Sequence, residues 1–594
     1  MWKKTFAWLD ARTGYRRFLT PWTTRVLPEG PRWGYSTASC LFWMLAIELV
    51  TGLLLMTSYS PSTSSAWASV FYIEQLPAGS FIRGLHYWGG QALIILFAVH
   101  TIRVLLTAAY RPPRELIWVT GLFLIPLLMV WAVTGNPLSA AQKGFAQIKV
   151  EGDIIRSTPL VGPVIRQILI GGDEVGNLTL THLNALHVAF LPLAVGCLMA
   201  LHIYQVYRHS VMIADPAKPQ GTPYWPYQSI RNLIVFSAVF AVVVALALRY
   251  RAPLEVPADP GLDGVPRPEW YFLFLFELRR YFTGRWEFVA TVVIPAVTML
   301  FLLLLPLMDW VCSKWLGAVL RYTVVVGGVA VWLGLTLTST MRDQHDAEFQ
   351  ASKKQMAKLA SRARTLASLG IPPEGAAALL KHDPKTQGPK LFGKFCAGCH
   401  SHADQRGHGI AAQNPSAANL SGFATRRWVA DILTPEKFSS DRYFGKTTLK
   451  DGDMTGGVTD YLDPQGVQKV IAALSAEAKL KSQQAIDKAD AQRISAGVAL
   501  IKDDSDGCTS CHKFHDVGEL GSAPDLTDYG SRSWLIGMIN DPTHEQFYGE
   551  LNDRMPAFSK QITQDEIGLL ADWLRSDWYE PGNAADDTAK AASE

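Results

Sequence analysis

Through its first 340 residues the chain alternates long apolar runs with short polar connections, and beyond them the polar positions take over. Seven runs, roughly 40–59, 85–106, 116–133, 185–207, 233–248, 288–308 and 316–337, reach or approach the length of about 20 residues that crosses a hydrocarbon layer. Residues 342–369 are rich in Ala, Lys and Arg and predict a helix, which I-P-P-E-G at 371–375 breaks. Two segments of like plan follow, 385–478 and 489–578. In each, a short helix leads into C-x-x-C-H, a Gly/Pro/Asp-rich middle follows, and a helix (465–476; 564–575) closes the segment.

Charge orients this pattern. Lys3, Lys4, Arg12, Arg16, Arg17, Arg25 and Arg32 precede the first run, Arg103, Arg111 and Arg114 lie between the second and third, and 58–82 carries only Glu74. The bias puts the N-terminus in the cytoplasm, and seven crossings then put everything after about residue 340 on the outer side of the cell membrane. Composition agrees with a chain that is half membrane and half soluble: 594 residues, 49% hydrophobic, 18% charged, with a mean hydropathy of +0.11. That mix excludes a single soluble domain and a transporter made only of membrane helices. A net charge of +3 without long like-charge blocks gives no sign of nucleic-acid binding. The basic N-terminal stretch lacks the apolar core and cleavage site of a removable leader, so the first membrane helix is expected to target the chain.

Candidate chemistry is concentrated in histidines and cysteines. The second run holds His86 and His100 and the fourth His187 and His202. Separations of 14 and 15 residues are about four helical turns, or roughly 21–22 Å, so each pair returns to nearly one face at two depths. Intramembrane histidines face a bundle interior with a partner, and haem iron takes axial imidazoles. Both helices run from outside to inside, so His86 pairs with His187 near the outer face and His100 with His202 near the cytoplasm, a set of ligands for two stacked haems.

Of seven cysteines, Cys40, Cys197 and Cys312 sit in apolar runs, while Cys396/Cys399 and Cys508/Cys511 belong to the two C-x-x-C-H strings, leaving no pool for a disulfide framework. C-x-x-C-H is the attachment signal of c-type haem, and both thiols of each string are expected to bind the cofactor. The competing readings, a zinc site and a redox dithiol, want four ligands in one fold and a strand–helix setting respectively. His400 and His512 are the expected proximal ligands. A methionine is the usual sixth ligand: Met555 in D-R-M-P-A-F, and Met454 in K-D-G-D-M-T-G-G, with His402 and His408 as rivals to Met454. Both segments resemble class I cytochrome c folds.

Over about residues 30–340 the sequence resembles the cytochrome b of quinol-oxidising bc-type complexes, especially their b/f-like branch. The resemblance rests on the two histidine spacings, on R-P-P-R-E-L-x-W-V-T-G (111–121), on T-L-x-H-x3-L-H ending at His187 and on P-E-W-Y (268–271). It implies that Gly52, Gly121 and Gly135 let a porphyrin approach the backbone. It also implies that Pro268–Tyr271 walls a quinol-oxidation site, with Glu269 accepting a proton and Tyr271 lining the pocket. Three departures stand out. Ser36 occupies the position where the b/f-like branch attaches an extra haem, so none is expected, although Cys40 lies one turn on. Residues 136–140 (N-P-L-S-A) alter the opposite wall of the oxidation site. His182 replaces an Arg and is expected at a propionate rather than as a ligand. Glu48, a mid-membrane carboxylate, has no partner assignable from the sequence.

The expected fold class is all-α, a seven-helix transmembrane bundle followed by two class I cytochrome c-like domains. Its parts are a cytoplasmic segment (1–34), a four-helix dihaem b domain (35–210), a three-helix domain with the quinol loop (211–340), a helical linker (341–384), two cytochrome c domains (385–480 and 485–580) and a disordered tail (581–594). The expected function is the cytochrome b/c fusion subunit of a proton-translocating quinol:cytochrome c oxidoreductase. Its cofactors would be two non-covalent b haems and two covalent c haems, with quinol as substrate. No Cys/His pattern appears for a Rieske iron–sulfur cluster, which would need two Cys and two His outside the c-haem strings, so a separate Rieske iron–sulfur protein is the expected partner, beside a further electron acceptor and, by resemblance, a second copy of the chain. The competing expectation is a non-bifurcating membrane subunit that links the quinone pool to another dehydrogenase or reductase.

Overall fold

A computed structural model of the chain describes residues 2–581 except 18–19, 21–23, 25, 28–29, 210–220, 453, 455–461, 504–506, 521–522 and 553. The expected disordered tail lies, after Pro581, outside the described residues. Apart from two short two-stranded ribbons, the described chain is helical, and it divides into two compact units, Met1–Ala377 and Ala378–Glu594.

In the first unit all seven apolar runs are helices long and apolar enough to cross a membrane. They are α1 (Ser36–Met56), α2 (Gly79–Leu106), α3 (Glu115–Gly135), α4 (Asn177–His209), α5 (Tyr227–Tyr250), α6 (Ile294–Val311) and α7 (Lys314–His345). Several extend beyond the apolar run that announced them, because backbone hydrogen bonding carries a helix on past the last residue that must avoid water. The turn between α6 and α7 is set locally: the Ser313 hydroxyl caps α7 by accepting from the Leu316 amide at 3.2 Å. Helix α1 packs on α2, α3 on α4, and α5 against both α1 and α2.

Helix α4 departs from regular geometry where it matters most. Residues Leu186–Phe190, which include His187, form a π-helical turn, a feature that tends to occur at functional sites. A π-turn accommodates one extra residue, so the 15-residue step from His187 to His202 spans about what the 14-residue step from His86 to His100 spans on a regular helix. The uneven spacing read from the sequence is thereby levelled.

The connection expected as a linker contains a helix, Ala347–Ala367, started by Asp346, whose carboxylate accepts from the Phe349 amide at 2.9 Å. It is tied to the loop that follows α5. Arg267 pairs with Asp343 at 2.8 Å, and Arg364 donates to the Leu254 carbonyl at 2.9 Å.

The second unit places helices where both segments were expected to begin and close: α8 (Pro384–Phe395), α9 (Pro464–Glu477), α10 (Ala491–Lys502) and α11 (Gln564–Leu574). Their packing crosses the two segments. Helix α8 lies on α11 and α9 on α10, and one core draws on both segments, including Phe392, Ile471, Ile501 and Ile567.

Candidate functional site

The four membrane histidines share one local design. Each Nδ1 faces a threonine hydroxyl on the preceding helix: His86 to Thr51 at 3.0 Å and His100 to Thr37 at 3.2 Å from α2 to α1, His187 to Thr134 at 3.2 Å and His202 to Thr120 at 3.0 Å from α4 to α3. Each hydroxyl is already committed as a donor to a backbone carbonyl one turn back, of Ile47, Gly34, Trp131 and Leu116 respectively. It is therefore left to accept, and each histidine donates through Nδ1–H. That choice of tautomer leaves every Nε2 lone pair free for a metal.

The pair of His86 and His187 closes on itself. The rings of His86 and His187 stand 6.3 Å apart, centroid to centroid, and nearly perpendicular at 81°. That span admits one ion held from each side by a bond of about 2 Å. His100 lies within electrostatic range of His202. The three glycines stand against these rings. A Cβ added to Gly52 would lie 3.2 Å from His86 Cε1, one on Gly121 3.3 Å from His202 Cε1, and one on Gly135 2.7 Å from His187 Cε1. The donor set, the fixed tautomers and the absence of side chain at these positions all fit bis-imidazole haem.

Glu48 acquires the partner that the sequence could not supply. Its carboxylate lies 3.0 Å from His86 Nδ1 and over Gly89, where a side chain would collide with it. His86 therefore has a hydroxyl and a carboxylate at one nitrogen. His182 instead turns Nδ1 to the Ile168 carbonyl at 2.8 Å. Ser36 and Cys40 are fully buried, Ser36 accepting from the Gln228 amide at 3.2 Å and Cys40 packed with Met44, Leu85, Val243 and Ala247.

A continuous cavity runs from the His86–His187 pair to the P-E-W-Y loop, lined among others by His86, His187, Tyr59, Lys143, Glu269 and Tyr271. Asn136, Leu138 and Ser139, the departures in the opposite wall, line it too. The two walls are stitched together by backbone bonds, Ala258 N to Ala140 O and Gln142 N to Val256 O, both 2.9 Å. Trp270 Nε1 donates to Gln91 Oε1 at 2.7 Å, fixing the loop to α2.

Within the cavity Glu269 forms an ion pair with Lys143 at 2.7 Å, a residue the sequence reading did not single out. Burial works against the Lys143 ammonium, but Glu269, then Glu255 and Tyr87, outweigh it and hold its pKa above the ordinary lysine value. Burial, opposed by Lys143, raises the Glu255 carboxyl. Burial and then the nearby Glu269 push the Tyr271 hydroxyl up, so it stays a neutral donor. Beyond the wall, Asn136 Nδ2 donates to Gln147 Oε1 at 3.3 Å and Gln147 Nε2 to Glu151 Oε1 at 2.9 Å.

In the second unit the two C-x-x-C-H strings adopt the same turn. His400 N bonds to Cys396 O and His512 N to Cys508 O, each at 2.9 Å. His400 Nδ1 faces the Ala418 carbonyl and His512 Nδ1 the Pro524 carbonyl, each at 2.7 Å, again leaving Nε2 free. His402 lies against Trp573, with ring centroids 4.3 Å apart and the planes tilted by 36°, and exposed His408 pairs with Asp404 at 3.5 Å. Among the described residues no three His, Cys, Asp or Glu are grouped to hold a metal ion, as a zinc site would require.

The two thiols of each string differ in exposure. Cys396 and Cys508 are half-buried and pack against the shared core, whereas Cys399 and Cys511 are exposed. Burial, then the neighbouring Cys399, pushes the Cys396 thiol up to about 12. The reason lies in the turn. Cys396 closes α8 and keeps that helix's inward face, while the bond from Cys399 N to Cys396 O at 3.1 Å reverses the chain and carries Cys399 to the surface. The bond from Cys511 N to Cys508 O at 3.3 Å does the same in the second string.

Comparison with known proteins gives the following. Residues 91–257 match the family described as cytochrome b (N-terminal)/b6/petB. The chain is 32% identical over 220 residues to the menaquinol:cytochrome c reductase cytochrome b subunit of Geobacillus thermodenitrificans, covering 36% of this chain and 98% of that one. It is 31% identical over 209 residues to cytochrome b6 of Synechococcus sp. (strain JA-3-3Ab), covering 35% and 97%. A cytochrome bc complex cytochrome b subunit of Chlorobaculum thiosulfatiphilum is 30% identical over 291 residues, 48% of this chain and 67% of that one. Among solved structures, a hyperthermophilic respiratory Complex III chain aligns with a TM-score of 0.50 at 24% identity, covering 61% of this chain and 97% of that one.

Proposed function

The chain belongs to the cytochrome b/b6 family of bc-type complexes, and from that premise we propose that it is the membrane electron-carrying subunit of a quinol:cytochrome c oxidoreductase. The observation that carries the reading is the continuity of one cavity from the His86–His187 pair to Glu269. When bound, two b haems held by His86/His187 and His100/His202 would supply one-electron transfer across the membrane.

The chain's own residues handle the protons. Oxidising a quinol releases two electrons and two protons. Glu269 accepts one proton from the quinol hydroxyl, a role that needs a carboxylate within hydrogen-bond reach. Lys143 keeps that carboxylate oriented, and the raised Tyr271 hydroxyl donates to the substrate without losing its own proton. One electron enters the membrane pathway and the other passes to a high-potential acceptor on a separate subunit, for which a Rieske iron–sulfur protein is the expected candidate. Protons leave on the outer side.

The second unit extends the high-potential branch. Cys396/Cys399 and Cys508/Cys511 would each hold a covalent c haem, with His400 and His512 as proximal ligands and Met454 and Met555 as the sulfur donors. The matching turns and the carbonyls fixing both imidazoles support this. Exposed Cys399 and Cys511 are open to the thioether chemistry such attachment needs. Fusion keeps that carrier at high effective concentration.

The test is quinol-driven reduction of the purified complex with b and c absorption followed separately. With the cytoplasmic quinone site blocked, prior reduction of the high-potential branch is expected to stop b reduction. Glu269→Gln is expected to slow it by about 10²-fold. Reduction of the b centres indifferent to the state of that branch rules out bifurcation.

A further inference from the structure

Each short helix that leads into a C-x-x-C-H string packs on the closing helix of the other segment. On α8, a side chain at Gly388 would overlap Trp573 of α11. On α10, a side chain at Gly497 would overlap the Lys469 carbonyl of α9 and come within 2.9 Å of Ala473 Cβ. These are helix crossings too close for any residue but glycine, so each α-helix pair is built as a pair.

The loops follow the helices. Phe395, next to Cys396, packs against Phe558 at 6.4 Å. Arg554 reaches the Ser416 carbonyl at 3.5 Å, two residues from Ala418, whose carbonyl holds His400 Nδ1. Met555 is thus bracketed on both sides by residues that contact the surroundings of His400. Its backbone is pinned there by Asn552, which accepts from Met555 N at 3.2 Å and donates to Met555 O at 2.9 Å. On the other side, Glu477 at the end of α9 meets His515 Nε2 at 3.0 Å and accepts from the Asp528 amide at 2.8 Å, so the first segment's closing helix rests on the loop after Cys511-His512. Met454, in the chain leading to α9, is partly buried against the shared core.

We propose that the two haem pockets are built by exchange between segments: the haem attached at Cys396/Cys399 takes its sulfur ligand from Met555, and the haem attached at Cys508/Cys511 takes its own from Met454. The proposal rests on the c-haem reading above and replaces the pairing by sequence proximity. It explains why the two segments share one core, since neither pocket is complete without the other half. It also places the two carriers in one compact unit, which favours transfer between them.

The experiment uses the full chain. Haem staining of the denatured parent protein first reads covalent attachment, and no stain sinks the c-haem reading itself. In a C508A/C511A background, which keeps only the haem at His400, Met555→Ala is expected to abolish the methionine-to-iron charge-transfer absorption of the oxidised protein, and Met454→Ala to leave it in place. Loss on Met454→Ala with retention on Met555→Ala overturns the exchange. Zero-length carbodiimide cross-linking of the unmodified holoprotein gives an independent reading that needs no variant. Lys385, at the start of α8, contacts Glu580 beyond α11, and a Lys385–Glu580 linked peptide is expected, whereas a Lys385–Glu477 link shows pairing within one segment and overturns the proposal.

Discussion

At the scale of residues, the four histidines are specified by what stands behind them. Threonine hydroxyls whose hydrogens are spent on the helix backbone can only accept, and this commits each imidazole to one tautomer. Three of the four threonines precede a glycine, at Thr51-Gly52, Thr120-Gly121 and Thr134-Gly135. The sequence reading did not single out these threonines; the repeated dipeptide is the signal by which they could have been found. The glycines differ in tolerance. At Gly135 an added methyl falls 2.7 Å from His187 Cε1, closer than carbon atoms approach, while at Gly121 the 3.3 Å gap needs a shift of only a few tenths of an ångström. Gly135→Ala is therefore expected to cost the outer b haem, and Gly121→Ala to retain both, as read by acid–acetone-extractable haem per chain.

Glu151 carries a pH dependence. Burial, opposed by the Gln147 amide, raises its carboxyl to about 7. The folded chain holds this proton where the unfolded chain has released it, so the contribution to stability is complete below the ordinary carboxyl range and is lost as pH rises through about 7. Glu151→Gln, which mimics the protonated group, is expected to match the parent near pH 4 and to exceed it above pH 8 by on the order of 2 kcal/mol. Thermal unfolding in detergent at the two pH values measures the difference.

At the scale of elements, the π-turn at Leu186–Phe190 is the feature on which haem register depends. Removing Val188 shortens the His187–His202 step to that of His86–His100, and reversion of the π-turn to regular α-helix absorbs the loss. Removing Gly196, in the regular part of α4, instead rotates one histidine by about 100° relative to the other. The first deletion is expected to keep both b haems and the second to lose one, as counted by pyridine haemochrome.

At the scale of the whole molecule, the charge bias and the seven helices together define a topology in which the second unit follows the last crossing. A periplasm-dependent reporter such as alkaline phosphatase, fused after residue 377, is expected to be active, and the same reporter fused between α2 and α3 inactive. The reverse result inverts the membrane orientation and with it the assignment of outer and inner haem sites. The Arg267–Asp343 ion pair and the hydrogen bond from Arg364 to the Leu254 carbonyl tie the loop after α5 to residues 343–364.

How much of this was legible depended on sequence distance. The seven spans, the two histidine registers and the C-x-x-C-H turns arise from contacts within a few helical turns, so the pattern of residues along the chain was enough to place them. The string did not tell its two thiols apart, because the burial of Cys396 and the exposure of Cys399 depend on the core packed against the turn. The glycines and P-E-W-Y were legible only through resemblance. Tertiary structure alone decided that Lys143 reaches Glu269, that Glu48 reaches His86, and that α8 meets α11, since each joins positions whose separation no local window spans. The last case shows the reason most clearly. The faces of α9 and α11 are both apolar and either would cover α8, but only residues 478–490 lie between α9 and α10, whereas 396–463 separate α8 from α9. The short connection favours α9 against α10 through its smaller loop entropy, and α8 is left to α11.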